Sequence, residues 1–132
     1  MLGADGWDGV VKTVNADNMD SVNGSIFCNH YSAEDPSEKV QAFLTAYKEK
    51  YNEDPVSFSA LAYDAAYILA QAIEKAGSTD KDAIIQALAE TSYDGVTGHI
   101  SFDSNGDPVK DVSIIKIEDG KYTLAEKVEQ AQ

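Results

Sequence analysis

The strongest constraint on the fold is a change of hydrophobic period along the chain. From about Val40 to residue 90 apolar residues recur at helical spacing, and from Gly95 onward they alternate. A period of about 3.6 stacks apolar side chains on one helix face, whereas a period of two places them on one face of a strand. Asp35 is expected as an N-cap, with Pro36 at the first helical position and Glu38 three residues after the cap, a set that offers acceptors to the orphan amides of a helix start. Val40, Phe43, Leu44, Tyr47 and Tyr51 then make one stripe. A turn around Pro55 spans Asn52 to Val56. From Ser57 an Ala-rich helix is expected, with Leu61, Ala65, Ile68, Leu69, Ala72 and Ile73 as a broad buried face and Gly77 as its left-handed cap. Ser78 and Thr79 supply the next N-cap, and Ile84, Ile85 and Leu88 mark a third helix to about Glu90.

Past Gly95, His99 to Phe102 reads as a strand and Asp103-Ser104-Asn105-Gly106-Asp107 as a tight turn. Val112 to Ile117 is β-branched and nearly all apolar, and Glu118-Asp119-Gly120-Lys121 turns it into Tyr122 to Val128, a hairpin with an Asp-Gly turn. Glu129 to Gln132 reads as a frayed end. At the other end, three glycines in the first nine residues indicate a strand end, a loop and a brief helix through Val10, Val11 and Val14, and Gly24 to Asn29 reads as a short buried strand. Met1 and Leu2 leave almost no strand before the loop, so the chain is expected to start inside an α/β unit already half built. The layout, a strand, three helices and then more strands, is an α/β mix.

Composition narrows the function. With 43% hydrophobic and 25% charged residues among 132, the chain can bury one ordinary core. Acidic residues outnumber basic ones 23 to 10, a net charge of −13 that repels nucleic acid and anionic lipid. No window approaches the roughly 20 apolar residues of a membrane span, and the opening lacks a basic-then-apolar signal pattern. The lone Cys28 has no internal disulfide partner and is expected as a small buried hydrophobe. His30, in a turn, and His99, in a strand, lack any nucleophile motif around them, so no enzyme chemistry is expected. The Gly-rich opening matches neither phosphate-binding pattern, and the residues from Asp103 to Asp107 place their glycine too early for a calcium loop and lack its closing glutamate. No metal or cofactor is expected. Asp5 beside Trp7 stands apart: a carboxylate and an aromatic ring on a loop at a strand's C-terminal end occupy the place where open α/β sheets bind ligands. Asp5 is either the partner of a ligand ammonium group or a turn aspartate capping the helix that starts near Gly9.

Four stretches in order carry a family likeness: Gly3-Ala4-Asp5-Gly6-Trp7-Asp8, Phe58-Ser59-Ala60-Leu61-Ala62-Tyr63-Asp64-Ala65, Ala76-Gly77-Ser78-Thr79-Asp80, and Gly95-Val96-Thr97-Gly98-His99-Ile100-Ser101-Phe102-Asp103. Over nearly its whole length the chain resembles the C-terminal third of the branched-chain amino acid binding proteins of ABC transporters, which have the type I periplasmic-binding-protein fold. The resemblance implies two three-layer αβα lobes joined by three crossings, incomplete in this chain, with ligand enclosed as the lobes hinge shut. It assigns Met1 to Tyr31 and Val112 to the end to the C-terminal lobe and Ser32 to Asp111 to the N-terminal lobe, with hinge crossings near Tyr31-Ser32 and Pro108 to Asp111.

It further implies that Asp5 pairs with the ligand's α-ammonium and that Phe58 lines the ligand side-chain pocket. Trp7 is either a pocket wall or a packed loop aromatic, while Tyr63 and Asp64 are packing and capping residues. The implied partners are a small amino acid, amine or amide and, in the full-length protein, a membrane permease. The implied setting is periplasmic or extracellular, as a lipoprotein. The loops that hold a ligand carboxylate in the family are absent from these residues, so the fragment is expected to bind weakly alone and to self-associate or exchange elements. The alternative is a ligand-sensing domain of the same fold in a receptor or amide-responsive regulator.

Overall fold

The structure, a computed structural model, describes residues 1–129; the last three residues of the expected frayed end lie outside the described residues. Strands β1 (Leu2–Gly3), β2 (Ile26–Asn29), β6 (Val112–Glu118) and β7 (Lys121–Val128) form one sheet in that order, with β1 parallel to β2 and the other pairings antiparallel. Along β6, Ser113, Ile115 and Ile117 are buried in strict alternation. The two isoleucines meet Phe27 and Val22, with Trp7, Met19, Tyr122 and the short helix α1 (Val10–Thr13) packed over them. Phe27 and Tyr122 stack edge to face at 5.4 Å.

Between β2 and β6 the chain builds a second unit from helices α2 (Glu38–Tyr51), α3 (Ser57–Ala76) and α4 (Lys81–Ala89) and an antiparallel meander, β3 (Ser92–Gly95), β4 (Gly98–Phe102) and β5 (Pro108–Lys110). Its core joins Tyr31, Val40, Phe43, Ala60 and Val96. An aromatic row knits α2 to α3, because residues four apart share a helix face: ring centroids lie 4.6 Å apart for Tyr51 and Tyr47, 5.8 Å for Tyr47 and Phe43, 5.1 Å for Phe43 and Tyr63, and 4.8 Å for Tyr63 and Tyr67.

Several local expectations shift. The cap of α2 is Ser37, whose hydroxyl accepts from the Val40 amide, while Asp35 acts one step earlier by accepting the Ser37 N–H at 2.9 Å. Helix α4 is capped by Asp80, whose carboxylate reaches the Asp82 and Ala83 amides, instead of by Ser78 or Thr79. The broad apolar face expected on α3 is half exposed. Its buried stripe is Ala60, Asp64, Ile68 and Ala72, while Leu69 and Ile73 are 47% and 38% exposed, because the side of α3 that reaches the β3–β4 turn is the one bearing Ala60 and Asp64. Cys28 is exposed, since β2 buries Phe27 and Asn29 and turns the residue between them outward. Gly77, at φ +59°, closes α3 as expected, and the Asp103 turn forms with its carboxylate accepting from the Asn105 and Asp107 amides.

Candidate functional site

The loop after β1 is a single 3-10 turn, Asp5–Trp7, held by Trp7 N–H to Ala4 O and Asp8 N–H to Asp5 O, both at 3.0 Å. Asp5 projects from it, its side chain 54% exposed. One carboxylate oxygen accepts the neighbouring Gly6 N–H at 3.0 Å, and the other stands 3.4 Å from His30 Nε2. Asp5 caps no helix, for α1 begins after Gly9 with no side-chain acceptor at its start. The carboxylate is therefore held at the end of β1 with lone pairs still open to solvent.

Trp7 folds back over Gly3 so closely that a Cβ there would lie 2.5 Å from the indole, which is why that position takes glycine. The ring is partly buried on the first sheet's core, and its carbonyl accepts the Tyr122 hydroxyl at 3.2 Å. Phe58, the second residue of α3, is 68% exposed. Asp8 ties the two elements together: its Oδ2 accepts the Ser57 N–H at 2.6 Å, so the loop bearing Asp5 is bonded to the helix start bearing Phe58. Tyr63 stacks within the aromatic row and Asp64 is buried under the β3–β4 turn.

The chain passes between the two units after β2 and before β6. Tyr31 and Ser32 lie buried at the first passage. The Tyr31 hydroxyl donates to Pro55 O at 3.0 Å, and burial, reinforced by the charges of Asp8 and Asp54, pushes its phenol well above the usual tyrosine range. At the second passage Lys110 donates to His30 O at 3.2 Å, and burial lowers its ammonium pKa. Glu34 accepts the Leu124 N–H at 2.8 Å and Lys127 pairs with Asp35 at 3.4 Å, two further bonds between units. The units enclose a cavity of about 320 Å³ whose walls include Asp8, Gly9, Tyr31, Ser32, Pro55 and Val56. Thus the expected hinge residues and the Asp8 loop come together, while Asp5, Trp7 and Phe58 lie outside that cavity's lining. Sequence reasoning missed Asp8 and His30. Nothing in the sequence singles out Asp8, since Glu53 and Asp54 are the carboxylates nearest the start of α3.

Two α/β units joined by paired passages, with a crevice between them and a carboxylate loop at a strand's C-terminal end, define part of a type I periplasmic-binding-protein fold. The model of the periplasmic binding proteins matches residues 1–121, and the chain belongs to that family. A leucine-, isoleucine-, valine-, threonine- and alanine-binding protein of Pseudomonas aeruginosa is 39% identical over 75 residues, which are 56% of this chain and 19% of that protein. The leucine binding protein LivK of Thermotoga maritima superposes with a TM-score of 0.83 at 31% identity, covering 97% of this chain and 37% of its own. The branched-chain amino acid transporter substrate binding protein LivJ of Streptococcus pneumoniae, solved in complex with isoleucine, does so with a TM-score of 0.83 at 35% identity, over 97% and 36%. The chain therefore spans little more than a third of the structures it matches.

Proposed function

We propose that this chain is part of an extracytoplasmic solute-binding component of an ABC transporter for branched-chain amino acids, working by capture and closure without catalysis. The observation that carries the reading is Asp5: a half-exposed carboxylate at a strand's C-terminal end, linked through Asp8 to the helix start that presents an exposed Phe58. In this reading Asp5 receives the ligand ammonium, Phe58 meets the aliphatic side chain, and Trp7 backs the loop as a wall of the pocket. Residues 1–31 and 112–132 belong to one lobe and 32–111 to the other, with Tyr31 and Ser32 at a hinge and a second crossing near Pro108 to Asp111. The whole protein would be a lipoprotein delivering ligand to a membrane permease. The relatives named for leucine and isoleucine support this choice of ligand class.

The test is an amide-resolved NMR titration with L-isoleucine carried into the millimolar range. Shifts confined to residues 4–8 and 57–58, lost in Asp5→Asn and absent with N-acetyl-L-isoleucine, which has no ammonium group, are expected. An unchanged spectrum, or one equally perturbed in Asp5→Asn, sinks the assignment of Asp5.

A further inference from the structure

Helix α3 is 20 residues long, so its first-turn amides carry unsatisfied donors and the positive end of the helix dipole. Yet Val56, at its N-cap, has no side chain able to accept. Helices α2 and α4 find their acceptors locally, in Ser37 and Asp80. For α3 the acceptor comes from the other unit, 49 residues away: Asp8 Oδ2 at 2.6 Å from Ser57 N. Asp8's own amide is bonded to Asp5 O, so a single 3-10 turn holds both carboxylates.

We propose that Asp8 is a positioning residue of the site, a cap supplied across the crevice that holds the Asp5 loop and the Phe58-bearing start of α3 in register. The inference rests on the reading of Asp5 and Phe58 given above, but the latch is a property of the two units and is measurable without ligand. Separating the units strips Ser57 N–H of a charged acceptor and leaves α3 uncapped, which biases the pair toward the closed arrangement. The Pro55 carbonyl, gripped by the Tyr31 hydroxyl at the hinge, anchors the preceding loop at its other side. The 52–56 segment is thus fixed between hinge and latch. Any displacement of the turn when a ligand ammonium takes the place of His30 beside Asp5 is passed to α3 through the Asp8–Ser57 bond.

The test uses three variants of the whole chain. Asp8→Ala removes the acceptor, Asp8→Asn keeps an oxygen without the charge, and Ser57→Pro removes the donor at a first helical position, where proline is tolerated. Spin labels on the exposed Cys28 of the first unit and on Ile85→Cys of the second, 61% exposed, read the separation of the units. Asp8→Ala and Ser57→Pro are expected to lengthen and broaden that separation, Asp8→Asn to lie between them and the parent, and Ser57 amide exchange to rise about fivefold in Asp8→Ala, the size of a lost cap. Adding Asp8→Ala to Ser57→Pro is expected to change the separation no further, a coupling that general destabilisation would not produce. Separations indistinguishable from the parent in Asp8→Ala and Ser57→Pro, or additive effects in the double variant, overturn the proposal. Because no ligand is used, a failure of the amino-acid titration leaves this result to stand or fall by itself.

Discussion

Asp64 should be the most costly polar side chain to change. It is 1% exposed, and its two oxygens accept the Val96 and Thr97 amides, each at 2.8 Å, pinning the β3–β4 turn to the middle of α3. Gly95 lets the turn come this close, for a Cβ there would fall on the carboxylate. A hydrogen bond to a charged group contributes about 1.5–3 kcal/mol. Asp64→Ala, which loses both and strands two buried amides, should cost about 4 kcal/mol. Asp64→Asn keeps one accepting oxygen and turns an NH2 toward the second amide, so it should cost about 2 kcal/mol. Urea unfolding followed by circular dichroism measures this directly: with a slope of about 2 kcal/mol per molar, the midpoint should fall by about 2 M for Asp64→Ala and about 1 M for Asp64→Asn. Gly95→Ala should destabilise the parent but cost much less when added to Asp64→Ala, because the atoms it strikes are gone. Midpoints of both Asp64 variants corresponding to less than about 0.5 kcal/mol, the size of an ordinary surface change, would refute the reasoning.

Tyr31 should make the chain sensitive to alkali. Burial, then the charges of Asp8 and Asp54, raise its folded pKa, so its contribution is whole below the unfolded value of about 10 and is lost as pH rises past it, by about 1.4 kcal/mol per pH unit. Thermal melts from pH 9 to 11 should show a shallower decline in Tyr31→Phe than in the parent, and parallel declines would count against the assignment. Asp35 acts at the other end of the scale: burial alone would raise its carboxyl pKa, but the Ser37 N–H and hydroxyl and the Lys127 ammonium outweigh it and hold the pKa below the usual range. Asp35→Asn should therefore be less stable than the parent at pH 7, by about 1 kcal/mol, with the gap closing as pH falls below the carboxylate range, as melts at pH 7 and pH 2.5 would show. Gly3→Ala should displace the single tryptophan, Trp7, and shift its emission to the red, whereas an unchanged spectrum would mean that the loop yields in some other way.

What the sequence disclosed and what it hid divide along a physical line. Elements whose cause is local were legible: the stripe of α2, the glycine closing α3, the alternation of β6, and the Asp-Gly turn into β7 all follow from neighbours within a few residues. Cap positions slipped by one or two residues because Asp35, Ser37, Thr79 and Asp80 are all competent acceptors, and only the path of the chain selects among them. Burial on α3 was misjudged because apolar content reports what a helix can cover, whereas the fold leaves Leu69 and Ile73 only partly covered. The strand β3, Ser92-Tyr93-Asp94-Gly95, has no apolar alternation and exists because β4 pairs with it. Asp8 and His30 escaped for the same reason, since their partners are distant in sequence and only the fold brings them near.

In the proposed reading, the energetics of Asp5 and Phe58 assign most of the binding strength to closure. An ion pair at a carboxylate as exposed as Asp5 contributes about 0–1 kcal/mol, and His30 already offers it a partner. Burying a leucine-sized side chain contributes about 1.5–3 kcal/mol, but only when it is removed from water on all sides, and Phe58 provides one surface. Against this stands a cost of at least about 4 kcal/mol for immobilising a free molecule. In the proposed reading these contributions, at most about 4 kcal/mol, do no more than offset that cost, so Asp5 and Phe58 by themselves would hold an amino acid only weakly. Each further tenfold of affinity must come from contacts made only when a second surface closes over the ligand and lowers the local dielectric around the ammonium and carboxylate. A bond such as that of Asp8 to Ser57, which fixes the approach of the two units before ligand arrives, removes part of the ordering cost from the binding step. Its loss should weaken capture even though it touches no ligand atom.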